Sequence, residues 1–232
     1  MYDLGRLEGQ PEDVKEQVLK NIVAHRYRSS LYLTCKDLLG YKDITEHTHR
    51  RMTEALESPT KRKLIVMPRG TFKSSIGVVG YSIWLLLRDP NLRILIDSEV
   101  YTNSKNFLRE IKAHLESSAV TNIFGLFRRE SNWTEGEITI AQRNKTLKEA
   151  SITCGGIGTV KVGQHYDVIL GDDYNSQNNS DSPEGCEKVL VHYRLNQAIL
   201  EPGGIYSITG TRYSDNDTIG HILKNEAVDA SA

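Results

Sequence analysis

Apolar residues recur along this chain in two rhythms, one helical and one strand-like, and the way they alternate predicts the fold. Val14, Val18, Ile22 and Val23 repeat at helical spacing behind Pro11, Glu12 and Asp13, which suit a first turn, so residues 11–39 read as helix. A second helix is predicted over 45–57, stopped by Ser58-Pro59. Lys63-Leu64-Ile65-Val66-Met67 is a short apolar run with β-branched residues, the pattern of a buried strand. It breaks at Pro68-Arg69-Gly70, and a helix-compatible stretch begins near Lys73. Similar runs occupy 92–96, 167–170 and 204–208. The first of these precedes a helix over 102–115, with Phe107, Leu108, Ile111 and Leu115 on one face and Lys105, Arg109 and Lys112 on another. Residues 137–141 and 151–154, around Arg143-Asn144-Lys145, read as a hairpin. Strands alternating with helices predict an α/β domain with a mainly parallel sheet.

Composition narrows the partners. The 232 residues carry 29 Lys plus Arg against 30 Asp plus Glu, a formal net charge of −1. A domain that grips nucleic acid by charge alone has a pI above about 9, so a polyanion would have to meet a local basic patch here. Cys35, Cys154 and Cys186 lie far apart with no CxxC pair, which favours a reducing compartment. No apolar core follows a basic start at the N-terminus, so no signal peptide is expected. The longest apolar stretch, 76–87, falls short of the ~18 residues of a membrane span and reads as a buried helix containing Trp84.

The chemistry concentrates at strand ends. Met67-Pro68-Arg69-Gly70-Thr71-Phe72-Lys73-Ser74-Ser75 has the strand, loop and helix of a phosphate-binding loop, whose backbone N–H groups cradle phosphates while Lys reaches the β and γ groups and Ser holds Mg²⁺. It departs from GxxxxGK[ST] twice, with Met67 and Phe72 at the two glycine positions. An ordinary strand-to-helix turn with a surface lysine is the competing reading. Asp172 and Asp173 end another buried strand, where open α/β sheets bind ligands. One carboxylate there suits Mg²⁺ and the next suits the water that attacks a γ-phosphate; Asp173 is one methylene shorter than the usual Glu. Gly-Asp-Asp-Tyr-Asn is also good turn chemistry. Thr209-Gly210-Thr211-Arg212, at a third strand end, could set a hydroxyl beside the γ-phosphate.

Together these segments resemble the ATPase domain of phage large terminases, the motors that pump DNA into procapsids. The resemblance spans about residues 35–224 and rests on residues 67–75, on 167–173, on Gly210-Thr211-Arg212-Tyr213 with 217–220, and on Asp37-Leu38-Leu39-Gly40-Tyr41 with His49-Arg50-Arg51. It implies a P-loop NTPase of the RecA-like, ASCE type. Residues 1–58 would be a helical lead-in, 59–212 the ATPase core and 213–232 a lid or linker. By that resemblance Lys73 binds the β and γ phosphates of ATP, Ser74 and Asp172 hold Mg²⁺, and Arg69 touches the γ-phosphate. Asp173 is then the catalytic carboxylate, and Thr209, Gly210 and Thr211 relay hydrolysis to DNA movement. The family's trans-acting arginine is matched by Lys161, which lacks the planar fork, or is supplied by Arg128 or Arg129. Partners implied are double-stranded DNA, a homo-oligomeric ring on a portal protein and a small terminase subunit, with no membrane, in the cytoplasm of an infected bacterial host. The nuclease domain of such subunits has no counterpart here, so no DNA cleavage is expected. Lys105, Arg109 and Lys112 are the candidate DNA contacts, and Tyr41 and Arg50 candidates to border the adenine. Lys61-Arg62-Lys63 reads as a solvated turn and the histidines as surface or capping groups. A helicase-type DNA translocase and a non-hydrolysing, nucleotide-gated DNA or portal adaptor are the rival functions.

Overall fold

The computed structural model describes residues 10–159 and 163–226. Helix α1 (Glu12–Ser29) begins behind Pro11, with acids in its first turn and Arg26 and Arg28 in its last, so its charges complement the helix dipole at both ends. The single helix expected over 11–39 is broken at Ser30, whose backbone is extended. Its hydroxyl then accepts the Leu33 N–H at 3.3 Å and caps a new turn, α2 (Leu31–Leu33), which runs into the π-helical segment Thr34–Leu38. Thr45 caps α3 (Glu46–Glu57) through the Thr48 N–H. At the other end of α3, Lys63 corrects the expectation of a solvated turn. It is buried, and its Nζ donates to Ala55 O, Ser58 O and Ser58 Oγ at 2.9, 2.8 and 3.0 Å. Helix-terminal carbonyls lack intrahelical donors, and a lysine with a long stem supplies them here.

Strands β1 (Arg62–Val66), β2 (Ile94–Ser98), β3 (Glu137–Ile138), β4 (Ile152–Cys154), β5 (Tyr166–Asp172) and β6 (Leu200–Gly210) form a six-stranded sheet in the order β1-β6-β5-β2-β4-β3. Every neighbouring pair is parallel except β3 with β4, where the expected hairpin closes. Parallel strands need helices over both faces, and β2 and β5 accordingly carry the apolar runs Ile94-Leu95-Ile96 and Val168-Ile169-Leu170.

One face is covered by α1 to α3, by the π-helical segment Ser75–Gly80 with α4 (Tyr81–Arg88), and by α5 (Tyr101–Glu116) and α6 (Ser118–Phe124). Leu31, Ile76, Ile83, Leu108 and Ile111 pack there against Ile94 and Ile96. After the short α7 (Gln177–Ser180), helices α8 (Pro183–Ala198) and α9 (Thr218–Asn225) cover the other face, with Val189, Tyr193 and Ile222 against Tyr166, Ile169 and Tyr206. Gly77 permits the π-helical segment Ser75–Gly80 to lie close on the sheet, since a Cβ there would come within 2.6 Å of Thr209 Oγ1. Among the described residues no helix is long and apolar enough to cross a membrane.

The register decides where chemistry can gather. Val66 is paired with Gly210, and Asp172 lies between Thr209 and Ser98, so β1, β6, β5 and β2 end side by side at one carboxyl edge. That edge is the ligand-binding side of an open parallel sheet.

Candidate nucleotide-binding site

The loop after β1 is held at both ends. Met67 N–H donates to Gly210 O at 3.2 Å, Thr71 Oγ1 donates to Pro68 O at 2.7 Å, and Phe72 O accepts the Ile76 N–H at 2.9 Å. Pro68, Arg69 and Gly70 are exposed, and Ser75 opens the π-helical segment. Gly70 has φ 78° and Phe72 φ 55°. Phe72 stands where GxxxxGK[ST] carries its second glycine, and its left-handed backbone gives the physical reason a glycine suits that position. The phenyl ring is held edge-on against buried His49, with ring centroids 6.0 Å apart.

Two short contacts join the loop to the acidic strand end. Lys73 Nζ donates to Asp173 Oδ2 at 3.1 Å, and Ser74 Oγ donates to Asp172 Oδ1 at 2.7 Å. The strand between them completes the site: Asp173 N–H donates to Thr209 O at 2.9 Å, Thr211 N–H donates to Asp173 Oδ1 at 3.1 Å, and Thr211 Oγ1 reaches Met67 O at 3.4 Å. Asp173 also has a positive φ, 40°. Phe72 and Asp173 are the two non-glycine residues with positive φ among the described residues; the first precedes Lys73 in the chain and the second accepts its Nζ. Strained backbone of this kind persists where surrounding contacts over-determine it, as at functional sites.

Asp172 is 4 % exposed. Burial, with the charge of Asp173 adding to it and the Ser74 hydroxyl and Lys73 opposing it, pushes its carboxyl up to about 7. A buried carboxylate whose partner is a neutral hydroxyl is a group that gains from a cation. Ser74 and Asp172 offer hard oxygen donors, the set Mg²⁺ takes together with phosphate oxygens. Among the described residues no group of three or more His, Cys, Asp or Glu could hold a metal by itself.

The remaining sequence-predicted residues fall at varied distances from this centre. Arg69 Nη2 donates to Tyr213 Oη and its guanidinium lies over the Tyr213 ring. Lys105 pairs with Glu135 at 3.2 Å and Lys112 donates to Trp133 O and Thr134 O, so both hold the segment before β3, while Arg109 is exposed. Arg128 pairs with Glu116 at the far end of α5. Sixteen residues of helix, about 24 Å, separate it from the edge where α5 starts; Arg129 beside it is exposed. Lys161 lies outside the described residues. Tyr41 donates to Glu110 and Arg50 to Glu46.

Sequence reasoning passed over a buried polar cluster beside β5. Asp97 Oδ2 accepts from His192 Nε2 at 2.6 Å, Asn196 Nδ2 at 2.5 Å and Tyr174 Oη at 3.0 Å. Asp97 directly follows the apolar run Ile94-Leu95-Ile96 in a fully buried strand, and an acid at that place was the available signal.

No family model matches the chain, and no curated protein matches it in sequence. Among solved structures, a mutant form of the large terminase ATPase domain of a Thermus phage is similar with a TM-score of 0.50 at 15 % identity, covering 77 % of this chain and 69 % of that one. A S. cerevisiae DEAD-box helicase, Dbp5, in a complex that includes ADP, is similar with a TM-score of 0.51 at 12 % identity, covering 84 % of this chain and 49 % of that one. The fold is that of P-loop, RecA-like ATPases.

Proposed function

We propose that this chain is the ATP-hydrolysing motor domain of a viral large-terminase subunit. The observation that carries the reading is the convergence of Lys73 and Ser74 on Asp173 and Asp172 across Thr209, three strand ends meeting at one edge. In this reading Lys73 leaves Asp173 for the β and γ phosphates of ATP, and the loop N–H groups between Pro68 and Ser75 cradle the chain of phosphates. Ser74 and Asp172 would hold Mg²⁺, which supplies charge neutralisation at the phosphates. Asp173, released from the lysine and still fixed by the Thr211 N–H, orients the attacking water. Arg69 swings from Tyr213 to the γ-phosphate, so Thr209-Gly210-Thr211 and Tyr213 are the groups that register its loss.

The resemblance to terminases carries the finer proposal of double-stranded DNA translocation by a homo-oligomeric ring on a portal, assisted by a small subunit, in an infected bacterial cytoplasm. Arg128, Arg129 and Lys161 are then the candidates for the cation that a neighbouring subunit supplies. Lys105, Arg109 and Lys112 are the proposed DNA face; Lys105 and Lys112 would exchange Glu135 and backbone carbonyls for phosphates. Hydrolysis stimulated by double-stranded DNA, slow at low protein concentration and faster as protein is concentrated, is the expected result. Duplex unwinding would favour the helicase-type translocase. ATP binding with no phosphate release at any protein concentration would favour the non-hydrolysing adaptor.

A further inference from the structure

The residue after the two aspartates is Tyr174, and its side chain turns back over the strand it has just left. A Cβ on Gly171 would lie 2.6 Å from the Tyr174 ring, so only glycine at 171 leaves room for this fold-back. The phenol is 2 % exposed and ends in the buried cluster described above. It donates to Asp97 Oδ2 at 3.0 Å, receives the Asn196 amide at 3.2 Å and lies 3.2 Å from Tyr206 Oη. Burial and the charge of Asp97 push the phenol well above its ordinary range, so it remains a donor. A second tie acts on the same segment. Glu99 accepts from Ser176 Oγ at 2.7 Å and from Asn179 Nδ2 at 3.0 Å, and that amide also donates to Tyr174 O at 2.9 Å.

These ties surround a strained turn. Asp173, with φ 40°, is anchored on one side by Thr209 O and the Thr211 N–H, and on the other by whatever fixes Tyr174. The cluster is costly for a purely structural device. Asp97 is 1 % exposed, its Oδ1 has no hydrogen-bond partner among the described residues, and His192 Nδ1 has none either. A buried polar atom left without a partner pays its full desolvation penalty, and apolar residues of similar volume would avoid it.

We propose that Tyr174, with Asp97, His192 and Asn196 behind it, forms a positioning network that fixes the backbone turn of Asp173 and so aims its carboxylate. Tyr174 is a positioning residue, acting only through Asp173. The inference rests on the reading of Asp173 as the catalytic carboxylate. A carboxylate that must orient a water tolerates little displacement, since a misplacement of about 1 Å costs on the order of 100-fold in rate.

The test uses the full chain carrying Tyr174→Phe, which keeps the ring over Gly171 and removes only the hydroxyl. Steady-state ATP hydrolysis is expected to show kcat reduced by about tenfold or more, with KM within about twofold. Tyr193→Phe is the control: that phenol bonds Glu226 and its ring stacks near Tyr206, but it does not touch the turn, so turnover should be unchanged. A second readout does not depend on activity. In Tyr174→Phe the amides of Asp173 and Thr211 should exchange hydrogen at least about tenfold faster, while β1 amides keep their protection. Unchanged exchange at Asp173 and Thr211, or equal acceleration throughout β1 and β5, overturns the inference. Should Tyr174→Phe not fold, Asn196→Ser, which withdraws a donor from both Asp97 and Tyr174, is read by the same amides. Wild-type protein without hydrolysis defeats the assignment of Asp173 and leaves the exchange result to decide the network.

Discussion

Lys73 Nζ and Asp173 Oδ2 lie 3.1 Å apart, the lysine 8 % and the aspartate 38 % exposed at their side chains. The pair is thus open on the carboxylate side. In the function proposed above, an incoming γ-phosphate would compete with Asp173 for the ammonium, and the displaced carboxylate would be free to orient the attacking water. Partner exchange of this kind costs no net buried charge, because the ammonium keeps an anion throughout.

The raised carboxyl of Asp172 makes stability depend on pH, and in its proposed role it would make Mg²⁺ binding depend on pH as well. Its ordinary value is 3.8 and burial takes it to about 7 in the fold. Between these values the unfolded chain has lost the proton and the folded one keeps it, so this group's contribution to stability falls as pH rises across that interval. Asp172→Asn removes the penalty. At pH 8 the nucleotide-free variant should melt at least about 2–4 °C higher than wild type, with little difference at pH 4. The affinity of the wild-type chain for Mg²⁺ with nucleotide should rise with pH and level off above about 7. Differential scanning calorimetry and titration with Mg²⁺ measure the two effects.

Phe72 should report its own backbone. Glycine at this position relieves the positive φ but frees the unfolded chain and gives up the contact with His49, so Phe72→Gly is expected to change stability by less than about 1 kcal/mol. Valine is β-branched and resists that φ, and Phe72→Val should cost about 1–2 kcal/mol. Urea denaturation of both variants decides the order, and a valine variant as stable as the glycine one would mean that the loop relaxes freely.

Arg93 is predicted to be the main electrostatic anchor at the opposite edge of the sheet. It donates to Asp167 at 2.9 and 3.0 Å, to Glu201 at 3.0 Å and to Glu149 at 3.5 Å. Burial acts to raise the carboxyls of Asp167 and Glu149, but donors outweigh it and both are held below their ordinary 3.8 and 4.5. Their contribution is present above those values and is lost as pH falls through the lowered ones. Arg93→Met strands the carboxylates, so it should cost about 3 kcal/mol at pH 7 and less at pH 4, where they are partly protonated. Urea titrations at the two pH values measure the difference.

Much of this architecture was readable because buried parallel strands are short apolar runs ended by turn residues. Ile65-Val66 and Ile169-Leu170 showed themselves that way, and the loop and the double aspartate followed at their carboxyl ends. Strand β6 begins earlier than its apolar stretch because Leu200 already pairs with Tyr166, and Pro202 and Gly203 lie exposed where the register with β5 shifts before Ile205. Helix α8 escaped because its buried side is largely polar: His192 and Asn196 point inward to Asp97, while Val191 and Leu195 are exposed. Hydrophobic periodicity has nothing to follow there, although Ser182 before Pro183 was a start signal. Lys63 inverted its expected role for a similar reason, since a charge in a basic run gives no hint that helix-end carbonyls lie above it.

Phosphate release from ATP with Mg²⁺ and double-stranded DNA, at high protein concentration, tests the central claim most directly when wild type is set beside Lys73→Ala and Asp173→Asn. Wild type should turn over, and each variant should lose about 100-fold or more in kcat. Asp173→Asn should still bind a non-hydrolysable ATP analogue, and Lys73→Ala should bind it more weakly. Phosphate release that is unchanged in either variant would contradict the account.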